Sequence, residues 1–445
     1  MGIVSSGEAK ASGRMLRMCN HTLTSIVPRL SGRLSVVFSR KMTISASSPQ
    51  SAQTENFLQS VQQVMRVDEL LWGDPKQNFV LRCRGQLTMD SETAYDQLAQ
   101  ALRPQNVTPL FRIEDGRHTI IILSGIVDPK PSNPWINLIL FVLTVFSVLL
   151  AGALYAYDAP LSNNLGEALL TLLANLWRGW PFALSLLAIL GTHEFGHYLA
   201  ARFHRSAVTL PYFIPFPLSI FGTLGAFIQL KEPPKNRNIL LDIGAGGPYA
   251  GLIVAIPVLV FGLLTSEVHP LPSMPISGQG FEGNSIFYLL LKFSIFHEWL
   301  PKPANFQGMA PLLYWGRYFF TGTPLPFGGW DVTLNQVAWA GWAGLLVTAL
   351  NLIPVGQLDG GHLLYVLLGK KAKYAVPVVV ITLVALSMVW SGWFLWAALI
   401  FFFGRYHAEP LDQITPLSPG RKWVAIFGLV LFALLFMPVP LVTVP

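Results

Sequence analysis

The chain reads as an all-α polytopic membrane protein of about seven transmembrane helices, in a range of roughly six to eight, joined by a membrane-associated β-hairpin and a small N-terminal α+β module. Three observations predict this class. Hydrophobic residues fill 52% of the 445 positions and charged residues only 12%, against roughly 25% charged in a soluble protein; mean hydropathy is +0.49. From residue 135 onward, apolar stretches of about the 20 residues needed to cross a bilayer follow one another. One further apolar stretch, at 208–230, is too rich in proline and glycine to be a helix.

Residues 1–54 form a basic, Ser-containing segment predicted to be disordered. Lys10, Arg14, Arg17, Arg29, Arg33, Arg40 and Lys41 stand against Glu8, so this end holds +6 of the formal +7 charge and the rest of the chain +1. That balance gives no support to a nucleic-acid partner. The composition suits an organelle transit peptide; the alternative is a start assigned too early, with Met42 the first residue. Cys19 and Cys83 have no paired spacing, which argues against a disulfide framework.

Residues 55–132 are predicted to be a small soluble α+β module. FLQSVQQVMRV (57–67) has helical apolar spacing, and NFVLRCRGQLT (78–88) alternates like a strand. SETAYDQLAQAL (91–102) opens with Ser91 as a cap and Glu92 in the first turn. VTPLFRIE (107–114), the Asp115–Gly116 turn and RHTIIILSG (117–125) form a hairpin pattern. DPKPSNP (128–134) is a linker.

The spans are predicted at 135–157, 181–203, 241–265, 333–354, 374–390, 391–404 and 423–440, the fifth and sixth sharing one apolar run broken at Ser391–Gly392. EALLTLLANLW (167–177) is a half-helix or an extension of the second span. Arg202, Arg205, Lys231, Lys235, Arg237, Lys370, Lys371, Lys373, Arg405, Arg421 and Lys422 alternate onto one side, which the positive-inside rule makes cytoplasmic. The long loop 266–332, with its amphipathic SIFYLLLKFSIFHEW, then lies outside. Between the second and third spans, Pro211, Pro215, Pro217, Gly222 and Gly225 would break a helix. The stretch therefore reads as a re-entrant hairpin ending in a strand, GAFIQL (225–230). Gly244, Gly246, Gly247 and Gly251 open the third span and read as close helix packing.

Three ionisable residues interrupt the second span. His193, Glu194 and His197 follow a His-Glu-x-x-His spacing, which on a helix sets both imidazoles on one face to bind a zinc ion while the glutamate reaches its water. The alternative is three buried polar groups satisfied by neighbours. An ionisable group at bilayer depth costs on the order of 2.5 kcal/mol or more, so three together favour a shared cation. Catalytic zinc takes about three protein ligands. His204 is out of register, Glu232 reads as a solvated loop residue, and Glu267 and Glu298 fall on the far side. Asp359 in NLIPVGQLDGGH (351–362) ends the fourth span on the same membrane side as the pair, among Pro354, Gly356, Gly360 and Gly361. It is the candidate third ligand. Its alternative is an ordinary loop turn, and His362 is a competing donor.

HEFGH in one span and NLIPVGQLDGGH two spans later resemble the site-2 protease family of intramembrane zinc metalloproteases. FGTLGAFIQLKEPPKNRNILLDIGAGGPYAGL (221–252) is similar to that family's hairpin, connecting loop and third core helix. The resemblance covers roughly residues 135–404, leaving 405–445 as a C-terminal loop and helix. It implies one zinc per chain on His193, His197 and Asp359, Glu194 as catalytic base, and Asn351 holding substrate or its oxyanion. Gln357, where many members have proline, departs from the pattern. The implied function is hydrolysis of peptide bonds in or near transmembrane segments of membrane-anchored, regulatory proteins. The partners are then a transmembrane protein substrate and the lipid bilayer, with no nucleic acid. The location is a bacterial cell membrane, or a chloroplast membrane if residues 1–41 are a transit peptide, with the active site toward the cytoplasmic side. Two rivals stand beside it. One is a polytopic membrane zincin degrading misfolded proteins at the membrane surface; the other is a non-proteolytic membrane metal transporter, which would need no base beside its first histidine.

Overall fold

A computed structural model of the chain describes residues 49–73, 79–157, 159, 160, 162–276, 280–404 and 409–444. The segment 1–48, with its transit-peptide and start-site readings, lies outside the described residues, as does Arg405. The chain divides into two compact units, Met1–Ile126 and Val127–Pro445.

In the first unit, α1 (Pro49–Val64), β1 (Met65–Trp72), β2 (Phe79–Leu87), α2 (Ser91–Leu102), β3 (Val107–Glu114) and β4 (Arg117–Ser124) follow in order. The strands form one antiparallel sheet, β1-β2-β4-β3. The helix expected at 57–67 stops at Val64, and Met65 starts a strand. A short apolar run suits either state, and the pairing of Met65–Trp72 with β2 decides it. The cap of α2 is Asp90, not Ser91: its carboxylate accepts the Glu92 and Thr93 amides. Phe57, Val61, Leu98 and Leu102 pack with Leu81, Cys83, Phe111 and Ile120 in a buried core. Burial pushes the Cys83 thiol up to about 12, so it behaves as an inert apolar residue.

The second unit is helical, with small sheets. Two helices, α3 (Pro134–Tyr155) and α6 (Arg237–Leu264), are long and apolar enough to cross a membrane. A third exists if α4 (Leu165–Ala174) and the segment Leu176–Phe203, bent by 69° from it, count as one. The stretch 167–177 is thus a separate half-helix. It breaks at Leu176–Gly179, where Gly179 and Gly152 of α3 bring two backbones together. The expected seven spans are not reached by length. The other four become α9 (Gln336–Asn351, 16 residues), α11 (Ala375–Ser387, 13), α12 (Gly392–Phe403, 12) and α13 (Pro419–Leu435, 17). Residues at their ends leave the helix: the chain unwinds after Asn351, turns at 388–391, and runs on after Leu435 into a strand.

The packed centre is α5 (Trp180–Phe203) against α6 and α9, through Leu186, Ile189, Leu252, Ala255, Leu259 and Leu345. The hairpin is present as β5 (Tyr212–Pro215) paired with β6 (Thr223–Phe227), Tyr212 opposite Phe227. The strand begins two residues before the expected GAFIQL and ends at Phe227, beyond which Leu230 makes only an isolated bridge to Val208. Polar residues buried on α3 satisfy its irregular backbone. Asn137 Nδ2 donates to the Leu210 and Pro211 carbonyls at 2.8 and 3.0 Å, and Ser147 Oγ donates to Gly222 O at 2.5 Å. Water would otherwise have to supply those donors.

The loop 266–332 is an ordered lobe. β7 (Glu267–Pro270) pairs with β9 (Trp330–Thr333), and the amphipathic stretch forms α7 (Ile286–Phe296), followed by α8 (Pro311–Thr321). β8 (Gly280–Glu282) pairs with β10 (Leu441–Thr443), so the chain just beyond the expected last span, 423–440, joins this lobe as a strand.

Candidate metal centre

The i, i+4 spacing of α5 puts His193 and His197 on one buried face, 3% and 7% exposed, with Glu194 5% exposed between them. Asp359 opens α10 (Asp359–Leu368) after the unwound stretch 352–358. That start is held by glycines. A Cβ on Gly360 would overlap the Leu352 carbonyl, and one on Gly361 would lie 2.5 Å from Gly356 O. The helix begins in contact with the backbone that precedes it, and Asp359 turns inward.

His193 Nε2 and His197 Nε2 stand 3.2 Å apart. Asp359 Oδ2 is 3.4 Å from His193 Nε2, and Oδ1 is 3.4 Å from His197 Nε2. Metal bonds of about 2.0–2.1 Å in a tetrahedral array place donors about 3.3 Å apart. Each separation is close to that edge, Asp359 presenting a different oxygen to each histidine, and one donor atom from each of the three residues lies within 4.8 Å of the others, so the donor set fits one zinc-sized ion with a position left open. Among the described residues this is the group of His, Cys, Asp and Glu donors spaced to hold a metal.

The surroundings orient the donors. His197 Nδ1 lies 2.7 Å from Ile243 O. A carbonyl only accepts, so Nδ1 carries the proton and the Nε2 lone pair faces the other donors. Asn351, the last residue of α9, brings Nδ2 to 3.3 Å from His193 Nε2. The Ile228 backbone, just past β6, lies close beside Glu194. All five residues expected at the site are therefore brought together.

The other candidates lie elsewhere. His204 pairs with Asp242 at 2.8 Å, Glu232 accepts the Ala207 amide at 2.7 Å, Glu298 pairs with Lys302 at 3.1 Å and Glu267 with His269 at 3.2 Å. His362 packs its Cβ against Gly244. Sequence reasoning missed Ile243 and Ile228, because each acts through its backbone, which no side-chain pattern encodes.

Residues 181–390 match the model of peptidase family M50. The chain is 32% identical, over 66% of its length and 48% of the relative's, to "Probable zinc metalloprotease EGY2, chloroplastic" of Oryza sativa subsp. indica. It is 33% identical to the Arabidopsis thaliana protein of the same name, over 59% of this chain and 42% of that one. To "Probable zinc metalloprotease EGY1, chloroplastic" of Arabidopsis thaliana it is 28% identical, over 58% and 43%. The chain spans about half the length of the curated relatives it matches. No solved structure matches it.

Proposed function

We propose, from the match of residues 181–390 to peptidase family M50 and the site-2 protease motifs that the chain resembles, that it is an intramembrane zinc metalloprotease acting on membrane-anchored, regulatory proteins. The observation that carries this reading is the buried cluster of His193, His197 and Asp359, whose donor atoms lie within 4.8 Å of one another, with Glu194 beside it. The relatives' names as zinc metalloproteases support zinc as the ion, one per chain, held by those three residues. When bound, zinc acts as a Lewis acid and brings a water's pKa toward ~7.

The chain's own residues do the rest. Glu194 takes the proton of the attacking water and later returns it to the leaving amine. The Asn351 side-chain amide donates to the oxygen where negative charge develops. A transmembrane substrate has its carbonyls bonded within its own helix, so it must unwind to be cut. The free side of β6, next to Glu194, would hold it extended by strand addition. In this reading the core occupies 135–404 and residues 405–445 add a loop and helix. The four helices of 12–17 residues make up seven spans with their unwound ends shielded by protein. The relatives' printed location favours a chloroplast membrane over a bacterial one, with the metal centre toward the side of the Lys/Arg-rich loops.

The test is Glu194→Gln. This variant should keep one zinc per chain and lose peptide cleavage by about 10²-fold or more. Comparative proteomics of membrane-anchored proteins in wild-type and variant cells should show uncut substrates accumulating only in the variant. Retained cleavage would remove Glu194 from its role.

A further inference from the structure

Gly244, Gly246, Gly247 and Gly251 on α6 look alike in sequence but meet different neighbours. A Cβ on Gly246 would lie 2.9 Å from Gly196 O, a backbone approach of α5 to α6. One on Gly244 would lie 2.9 Å from His362 Cβ, and one on Gly251 3.2 Å from His193 Cβ. At Gly247 the nearest three atoms all belong to the His197 ring, Nε2, Cδ2 and Cε1, each within 2.5 Å. The space left by this glycine is filled by one imidazole.

We infer that Gly247 is a positioning residue: the side chain it lacks leaves a slot in α6 where the His197 ring lies, with Nδ1 on the Ile243 carbonyl and Nε2 turned to the metal. In an α-helix the carbonyl of residue 243 points toward residue 247. A ring resting over position 247 therefore reaches that carbonyl, and the observed Nδ1–O distance is 2.7 Å. A ligating histidine whose other nitrogen is tied to a carbonyl is fixed in rotamer and tautomer. A methyl group at 247 would occupy the approach to Nε2, the ligating atom, and would force the ring off both partners. The role of Gly247 is thus distinct from the helix packing that serves Gly246. The inference rests on the zinc reading of the site, but the slot can be tested without it.

The experiment compares purified full-length chains: wild type, Gly247→Ala, Gly262→Ala, His197→Ala and the His197→Ala/Gly247→Ala double variant. Zinc affinity is read by competition with a chelator, and folding by thermal unfolding without metal. Gly247→Ala should lose on the order of 100-fold in zinc affinity. Gly262→Ala is the packing control. Its Cβ would overlap the Ala338 backbone, remote from the metal ligands, so it should lower the unfolding temperature and keep wild-type zinc affinity. With the imidazole gone, the three atoms nearest the added methyl are gone too, so the double variant should unfold at or above the temperature of His197→Ala. Wild-type zinc affinity in Gly247→Ala overturns the inference. So does a stability loss in the double variant relative to His197→Ala, because that would make 247 a packing position. A wild-type chain that takes up no zinc would instead refute the protease reading, and the unfolding comparison would still judge the slot. Should Gly247→Ala alone fail to fold, recovery in the double variant would support the slot and continued failure would overturn it.

Discussion

His193, Glu194 and His197 could be read together because their spacing is a property of a single helix, and helix geometry is local. Asp359 was legible for a different reason: it is a carboxylate in an apolar setting, on the membrane side where a third donor was needed. The Ile243 carbonyl and the Gly247 slot were not legible, since a backbone oxygen has no letter and a glycine's neighbour is a fact of packing. The same holds for Asn137, one of many residues in an apolar run. Its amide serves two carbonyls of the hairpin approach, at 2.8 and 3.0 Å. Asn137→Leu keeps the branched shape and heavy-atom count and removes both donated hydrogen bonds. Each buried carbonyl left bare costs roughly 1–3 kcal/mol, so thermal unfolding should drop measurably, whereas zinc stoichiometry should stay at wild type. An unchanged unfolding temperature would mean that water reaches those carbonyls.

Among elements, apolar length predicted spans well where the helix ran unbroken, as in α3 and α6, and overran where the chain unwound inside an apolar stretch. Leu352–Leu358 is as hydrophobic as a helix, yet it must leave the helical path to turn Asp359 inward. The hairpin was recognisable from its prolines and glycines, but its register was not. Gly222, just before β6, and Gly225, within it, both adopt positive φ, at +74° and +96°. Ala226 pairs with Phe213 on this strand. Ala226→Pro, in a strand whose free side is proposed to receive substrate, should reduce cleavage several-fold or more with zinc still bound. Cleavage at the wild-type rate would exclude strand addition there.

Across the whole second unit, the least legible part was the lobe at 266–332, expected as a loop. At its centre the fully buried Lys292 of α7 sits 3.9 Å from Glu282 of β8 and 3.7 Å from Asp331 of β9, with its ammonium 4.5 Å above the Tyr288 ring. Tyr288 donates to Glu282 at 3.2 Å, and Tyr318 of α8 packs nearby. One cation serves two carboxylates. Burial and then the Asp331 charge push the Glu282 carboxyl up to about 7, with Lys292 pulling it back, and burial raises Asp331 as well. A carboxyl raised above its unfolded value of about 4.3 stabilises the fold fully below that value. That contribution is lost progressively as pH rises from that value to about 7. The unfolding temperature of the chain should therefore fall as pH rises from about 4 to about 7 and level off above that. In Lys292→Met the fall should move to higher pH, because the cation that favours ionisation is gone. A flat profile in the wild type would mean that both carboxylates ionise freely.

The histidines of α5 and the elements that complete their site are far apart in the chain: Asn351 follows His193 by 158 positions, and Asp359 comes later still. At about 5–20 residues per second, roughly 8–30 s of synthesis separate the two halves of the centre. During that interval the chain holds His193, Glu194 and His197 without the residue that completes their cluster. If the centre cuts peptides as proposed, a site divided in this way cannot become active before its own fold is nearly finished, and the order of synthesis works as a safety catch.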